Sequence, residues 1–362
     1  MKSLFKLFER TKPLFEDGGR FRPFKPVFDA LENFFFGPAT TTTVAPHIRD
    51  PLDVKRFMSM VIVALIPVLL ASFYFFGLRL IAMLVVSYAV GGTVEVLFAV
   101  IRKEEINEGF LVTGMLFPLI LPPTLPLWMV AIGVAFGVFV GKELFGGTGR
   151  NIFNPALVGR CFLAIAYPVA MSSNWVTPGS GFTGRLFEYI SASDVDALTS
   201  ATPLVLAKQG TLTELSSLFF GNISGSVGET SALAVILGGV FLLLTRTANW
   251  RTVVSTLGSF ALLAAILRVN DPGRFAPVLW HLCAGSILFG AFYMTTDPVT
   301  SPVTNSGKWL YGMIIGFATV LIRNFTGYVE GVMFAILLGN IFAPVLDEII
   351  FKLRLRRLAL EE

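Results

Sequence analysis

Cysteine and histidine are scarce in these 362 residues, with only Cys161, Cys283, His47 and His281 present. The two cysteines lie far apart inside apolar runs and form no C-x-x-C, which excludes a disulfide framework, a cysteine zinc site and an iron–sulfur cluster. Two histidines are too few for haem or multi-histidine metal chemistry, so any redox role must use a cofactor that needs neither residue type. Charge is also sparse, at 14% of residues against about 25% in soluble domains, which excludes an ordinary soluble enzyme. Disorder is excluded by the 54% apolar content. The net charge of +4 is not gathered into a basic stripe interleaved with aromatics, so no nucleic-acid partner is expected.

What remains is a chain rich in phenylalanine, 35 of them, with a mean hydropathy of +0.73, the composition of a polytopic membrane protein. Residues 1–56 hold ten Lys or Arg against seven Asp or Glu, are broken by prolines and glycines, and read as a soluble arm rather than a signal peptide. Within the arm, residues 27–36 read as a short amphipathic helix lying on the membrane with its Phe face down. From Phe57 the hydropathy divides into ten candidate spans, near 57–76, 78–101, 109–121, 127–145 and 154–171, then 231–245, 253–268, 276–294, 309–323 and 330–350. Several are shorter than the roughly 20 residues a plain crossing needs, which predicts broken or re-entrant half-helices around an internal site.

The expected fold is therefore all-α, with about ten transmembrane helices in two inverted five-helix repeats. Two pairs of motifs suggest the repeat. Phe153–Arg160 sits in its half much as Met333–Asn340 sits in the other, and Pro122-Pro123-Thr124-Leu125-Pro126 matches Pro298-Val299-Thr300-Ser301-Pro302. The expected organisation is an N-terminal arm (1–56), a first repeat (57–171), an outer loop (172–230), a second repeat (231–350) and a basic tail (351–362). Basic residues of the arm, Arg102-Lys103, Lys142, Arg150, Arg246, Arg251 and the tail fall on one side, which the positive-inside rule makes cytoplasmic, with both termini there.

Three constellations stand out. The loop Lys142–Pro155 has Gly146, Gly147 and Gly149, and its Asn151 and Asn154 are spaced to face one pocket, as a neutral heteroaromatic ring would require. A tight connection with asparagine as helix cap reads equally well. That loop contains neither G-x-G-x-x-G nor a P-loop, so it signals no nucleotide fold. Carboxylates within apolar runs are costly, which singles out Glu95 and Asp347, with Asp297 as either a cap or a functional acid. Gly91-Gly92 admits a close helix or a flat ring. Last, Asp196-Ala197-Leu198-Thr199-Ser200-Ala201-Thr202-Pro203 reads, on composition, as a helix cap.

That octapeptide resembles the acceptor site for covalent FMN, in which a flavin transferase joins the flavin phosphate to the last threonine of D-x-x-[ST]-G-A-T. Here that is Thr202, with Asp196, Thr199 and Ala201 matching and Ser200 standing where glycine is frequent. Together with His47-Ile48-Arg49-Asp50, Ile106–Phe110, Pro122–Trp128, Gly146–Arg160, Thr296–Val299 and Asn305–Trp309, it makes the chain resemble the B-subunit family of the Na+-translocating NADH:quinone oxidoreductases, related to the D subunit of the Rnf complex. The resemblance implies a membrane flavoprotein subunit carrying FMN on Thr202 and a noncovalent riboflavin near Asn151, Asn154 and Asp297. It implies a ubiquinone-type substrate near Gly91, Gly92, Glu108, Gly109, Phe110 and Phe162. Asp29, Glu95, Glu229, Asp297 and Asp347 become sodium-related acids. The implied setting is the bacterial inner membrane, in a six-subunit complex with the C subunit that carries its own covalent FMN, the D and E membrane subunits and the NADH-oxidising F subunit. Without the resemblance, the architecture reads as a channel or transporter for a small polar solute.

Overall fold

The computed structural model describes residues 54–103, 109–172, 175–179, 184–190 and 201–361, and positions 9–15, 19, 21, 22, 25 and 28 of the arm. Among these there are helices and no strands, as expected where a backbone in hydrocarbon must satisfy its own hydrogen bonds. Two long helices open the fold, α1 (Val54–Phe76) and α2 (Leu78–Arg102). They are joined at Gly77, whose φ of 64° suits a residue without a side chain. Two short apolar helices, α3 (Gly109–Leu119) and α5 (Pro155–Ala166), flank α4 (Leu127–Gly141). At 1.5 Å per residue α3 and α5 reach only about 16–18 Å, roughly half of a hydrocarbon core. A five-residue helix α6 (Pro168–Ser172) follows.

The segment between the halves carries α7 (Pro203–Lys208) and α8 (Leu215–Phe220). The second half holds α9 (Ala232–Leu244), α10 (Trp250–Asn270) and α11 (Val278–Cys283), then α12 (Ile287–Phe289) running into a π-helical turn, Gly290–Met294. It closes with α13 (Asn305–Phe325) and α14 (Val332–Glu361). Among the described residues, five helices are long and apolar enough to cross a membrane: those at 56–76, 78–102, 127–145, 250–270 and 332–358. The described residues thus form an all-helical fold of the kind found in membrane proteins. The stretch near 276–294 is interrupted, because Ala284 is extended and Gly285 has a φ of 72°.

Unwound backbone after α3 is satisfied from elsewhere in the chain, as burial requires. The Val227 and Gly228 amides donate to Leu121 O at 3.0 Å and Leu119 O at 2.7 Å. Arg79, only 4% exposed, donates from Nη2 to Leu125 O at 2.7 Å and from Nε to Pro123 O at 3.3 Å. One buried guanidinium thereby holds the Pro122–Pro126 turn. In the matching turn the polarity is reversed. Asp297 accepts from Val299 N at 3.1 Å, and Asp347 accepts from Val303 N at 2.7 Å and Thr304 N at 3.0 Å.

The halves meet closely where α9 packs on α1. A Cβ at Gly238 would collide with Ala64 O and the Tyr293 hydroxyl, which itself donates to Ala64 O at 3.0 Å. Gly238→Ala should therefore lower stability by about 1–3 kcal/mol, the usual penalty for overpacking. Gly258→Ala on α10, where a Cβ meets nothing within 4 Å, should be neutral or slightly stabilising. Thermal unfolding in detergent checks the pair; equal midpoints would sink the packing argument.

Candidate functional site

A cavity of about 420 Å³ lies where α5, α7, the 221–231 segment and the start of α14 converge. Thr202 lines it. Its backbone is extended and Pro203 opens the helix, so the threonine caps α7 by accepting from Val205 N at 3.4 Å. Cap and cavity wall are therefore the same residue, and it is only 8% exposed. The far end of α7 is tied down as well, because Lys208 Nζ donates to Thr326 O and Tyr328 O, each at 3.0 Å. Trp175, Tyr328 and Phe334 supply aromatic surface to the cavity.

Four charged side chains cross-brace this region. Arg160 of α5 pairs with Glu229 at 3.0 Å and reaches Ser226 Oγ at 3.4 Å. Arg323, at the end of α13, pairs with Glu330 at 3.1 Å and also donates to His281 O at 3.0 Å. Both carboxylates line the cavity, yet they differ. Burial alone would raise Glu330, but Arg323 and the Ser286 amide, 3.0 Å away, hold it below the usual carboxylate range. Burial dominates at Glu229 and pushes it up to about 7, with Arg160 opposing.

This difference has a measurable consequence. Glu229 keeps its proton to about pH 7 when folded and loses it near 4.5 when unfolded, so between those limits the folded state binds more protons. Stability then falls as pH rises through that window, by at most about 1.4 kcal/mol per unit, and is flat above it. Glu229→Gln should remove the slope in melting temperature between pH 5 and 7. An unchanged slope would show that another group titrates.

A second, smaller cavity of about 70 Å³ lies on the opposite face and brings together Asn154, Asp297, Gly109, Thr113, Thr296 and Tyr293. Asn154 and Asp297, from different halves of the chain, thus share a pocket. Asn151 does not line it; its Nδ2 donates to Phe153 O at 3.0 Å. Asn154 caps α5 through Ala156 N at 3.0 Å, and Asp297 also accepts from the Thr300 hydroxyl at 3.1 Å. The glycines between α4 and α5 serve left-handed turns, with φ of 107° at Gly146, 89° at Gly147 and 91° at Gly149.

Gly91 and Gly92 do admit a flat ring, and within this chain it is that of Phe110. A Cβ at Gly91 would lie 2.6 Å from the Phe110 ring. Gly109 lies against Thr148 of the glycine loop. Phe162 is engaged differently, stacked on Phe136 at 4.2 Å. Among the described residues, the acids that the resemblance marks as sodium-related are not gathered together. Glu95 forms a buried ion pair with Lys142 at 2.7 Å, Glu229 pairs with Arg160, and Asp297 and Asp347 cap backbone turns. Asp29, Glu108, Asp196, Thr199 and Ser200 lie outside the described residues, whereas Ala201 lies within them next to Thr202.

Several residues around the large cavity escaped sequence reasoning, notably Trp175, Arg323, Tyr328, Glu330 and Gly285. The available signals were weak: a lone glutamate between two apolar runs in Gly327-Tyr328-Val329-Glu330-Gly331, and Ala284-Gly285-Ser286 inside a hydrophobic stretch. Gly285 is required twice, for its φ and because a Cβ would strike Glu330 Oε2.

Residues 41–355 match the model of the family described as NQR2, RnfD, RnfE. The chain belongs to the NQR2, RnfD, RnfE family. Relatives include the B subunit of the Na(+)-translocating NADH-quinone reductase of Ectopseudomonas mendocina, 39% identical with 95% of each chain covered. The B subunit of the same reductase from Klebsiella pneumoniae is 37% identical, covering 97% of this chain and 98% of the relative. That of Pseudoalteromonas atlantica is also 37% identical, covering 96% and 97%. The stretch matched by the NQR2, RnfD, RnfE family contains both cavities and all four charged residues that brace the larger one.

Proposed function

We propose that this chain is the B subunit of a sodium-pumping NADH:quinone reductase, holding FMN as a phosphoester on Thr202 in the 420 Å³ cavity. The observation that carries the reading is the position of Thr202, whose hydroxyl side chain caps α7 and lines the 420 Å³ cavity. Relatives named as the B subunit of such a reductase, similar over nearly their whole length, support the setting.

The residues present fit a flavin. The volume lies within the roughly 300–1,000 Å³ of ligand sites, and aromatic walls with a few polar groups are the usual lining. Thr202 would anchor the phosphate, while Trp175, Tyr328 and Phe334 offer ring faces and exclude water. The bound FMN would supply electron transfer, which needs proximity and a tuned potential rather than many acid–base residues. Arg160 and Arg323 are each held by a carboxylate, Glu229 and Glu330, which fixes the polar side of the cavity wall.

For riboflavin near Asn151, Asn154 and Asp297 the fit is different. The 70 Å³ pocket is too small for a tricyclic ring, and Asn154 and Asp297 already serve as caps. A riboflavin there requires the helices to part or a neighbouring subunit to complete the site. Quinone reduction is assigned to the neighbourhood of Gly91, Gly92, Glu108, Gly109, Phe110 and Phe162, and sodium handling to Asp29, Glu95, Glu229, Asp297 and Asp347.

The inverted repeat is part of this proposal, with 57–171 and 231–350 as its units. In its favour, α2 packs on α3 and α4, and α4 on α5, while α10 packs on α11 and α13, and α13 on α14. Contacts between the halves pair equivalent helices, first with first (α1 with α9) and fifth with fifth (α5 with α14). Five helices per unit invert the second relative to the first. The proposed setting is the bacterial inner membrane, with both termini and the Asn154 face cytoplasmic and Thr202 outside, beside the C, D, E and F subunits.

The test is flavin fluorescence of the denatured chain after electrophoresis, following production with the transferase. A dark band would end the covalent-flavin reading and favour a solute channel or transporter. Reduction by ferredoxin and not by NADH would move the assignment to an Rnf-type complex.

A further inference from the structure

On the face opposite Thr202, α10 and α13 begin side by side, and their first turns carry a cationic and aromatic patch. Trp250 and Trp309 meet edge to face at 5.9 Å and are 51% and 37% exposed. The Arg251 guanidinium lies over the Trp250 ring at 4.9 Å. Lys308 is near enough to Arg251 for the two charges to repel, and Arg251 is half-buried. Neither has a carboxylate within salt-bridge distance among the described residues. The nearest acid, Asp347, has its oxygens engaged by Val303 N, Thr304 N and the Thr304 hydroxyl.

Asp347 attracts Lys308 only from beyond salt-bridge distance, and two partly desolvated cations with no acid in contact among the described residues are unfavourable alone and favourable around an anion. Around them the surface is apolar. Val254 lies one turn along α10 from Trp250, and Leu310 and Phe317 continue along α13, all of them exposed. Tryptophans at a membrane boundary lie at headgroup depth, and basic pockets there bind anionic lipid headgroups. We propose that Trp250, Arg251, Lys308 and Trp309 form a binding site for the phosphate of an anionic phospholipid, its acyl chains lying along Val254, Leu310 and Phe317. Charge complementarity commits the patch to a lipid. A free phosphate would leave the apolar strip unused.

The full chain, with whatever subunits copurify, is incubated with equimolar phosphatidylglycerol and phosphatidylcholine, and the lipid retained after washing is identified by mass spectrometry. The wild type should retain phosphatidylglycerol preferentially, with roughly a fivefold loss of preference for each cation removed in Arg251→Gln and Lys308→Gln. Arg251→Lys with Lys308→Arg should keep the preference. Should the glutamine variants fail to fold, raising the salt in the wild-type assay should erode the preference, since exposed charges are screened. Unchanged preference in folded glutamine variants would overturn the site. So would full displacement of the lipid by inorganic phosphate, or a cross-link from Lys308 to another subunit in the intact complex.

Discussion

Thr202→Val should give a folded chain that carries no covalent flavin and no longer passes electrons to quinone. Valine keeps the volume of threonine but removes the side-chain oxygen proposed to form the phosphoester. The structural cost is confined to the cap on Val205 N, which at 3.4 Å is long, and losing a cap costs typically about 1 kcal/mol. Because Lys208 holds the other end of α7 on Thr326 O and Tyr328 O, the cavity wall should stay in place. The measurement is flavin fluorescence of the denatured band together with quinone reduction, with Thr202→Ser as the control that restores the hydroxyl. A fluorescent Thr202→Val band would mean another residue accepts the flavin. A dark band with quinone reduction intact would mean the chain acts only as an anchor for other subunits.

Lys142→Met should be the most damaging single change away from Thr202. It strips the partner from Glu95, whose Oε1 lies 2.7 Å from Lys142 Nζ while its Oε2 has no partner among the described residues. Both side chains are almost fully buried, at 4% and 6% exposure. Breaking one member of such a pair costs about 3–5 kcal/mol, because a charge is left in a medium that cannot solvate it. The neighbouring pair offers no relief, since Arg102 is occupied by Glu143 at 2.7 Å and Glu143 adds a second negative charge nearby. Replacing both members, Glu95→Gln with Lys142→Met, should recover most of the loss, as apolar or neutral substitutes for a whole pair are often tolerated. Thermal unfolding of the single and double variants in detergent measures the cycle. Equal stability of Lys142→Met and wild type would show that Glu95 is neutral and that the pair carries little.

Much of the architecture was legible from composition and periodicity. Hydropathy and the placement of Pro, Gly and charge put spans where helices occur, including the short ones at 109–119 and 155–166. Motif reading also reached Thr202, Asn154 and Asp297, and the structure sets the first in one cavity and the other two together in a second. The reading of the glycine-rich loop and its asparagines left cap and ligand open, and the geometry shows the cap. Gly91-Gly92 left a close helix and a flat ring open, and the residue that packs there, Phe110, arrives from the next helix.

By itself, then, the sequence determined that this is a helical membrane chain, which stretches are too short to cross, and which threonine lies in a motif that resembles a flavin-acceptor site. These properties are local, set by the apolar run length, helix breakers and a few adjacent residues. Only the tertiary structure decided which charges share a cavity. Arg160 meets Glu229 from 69 residues away and Asp347 caps a turn 43 residues earlier, because a buried charge takes whatever partner the packing brings to it. Sequence spacing carries no record of that choice.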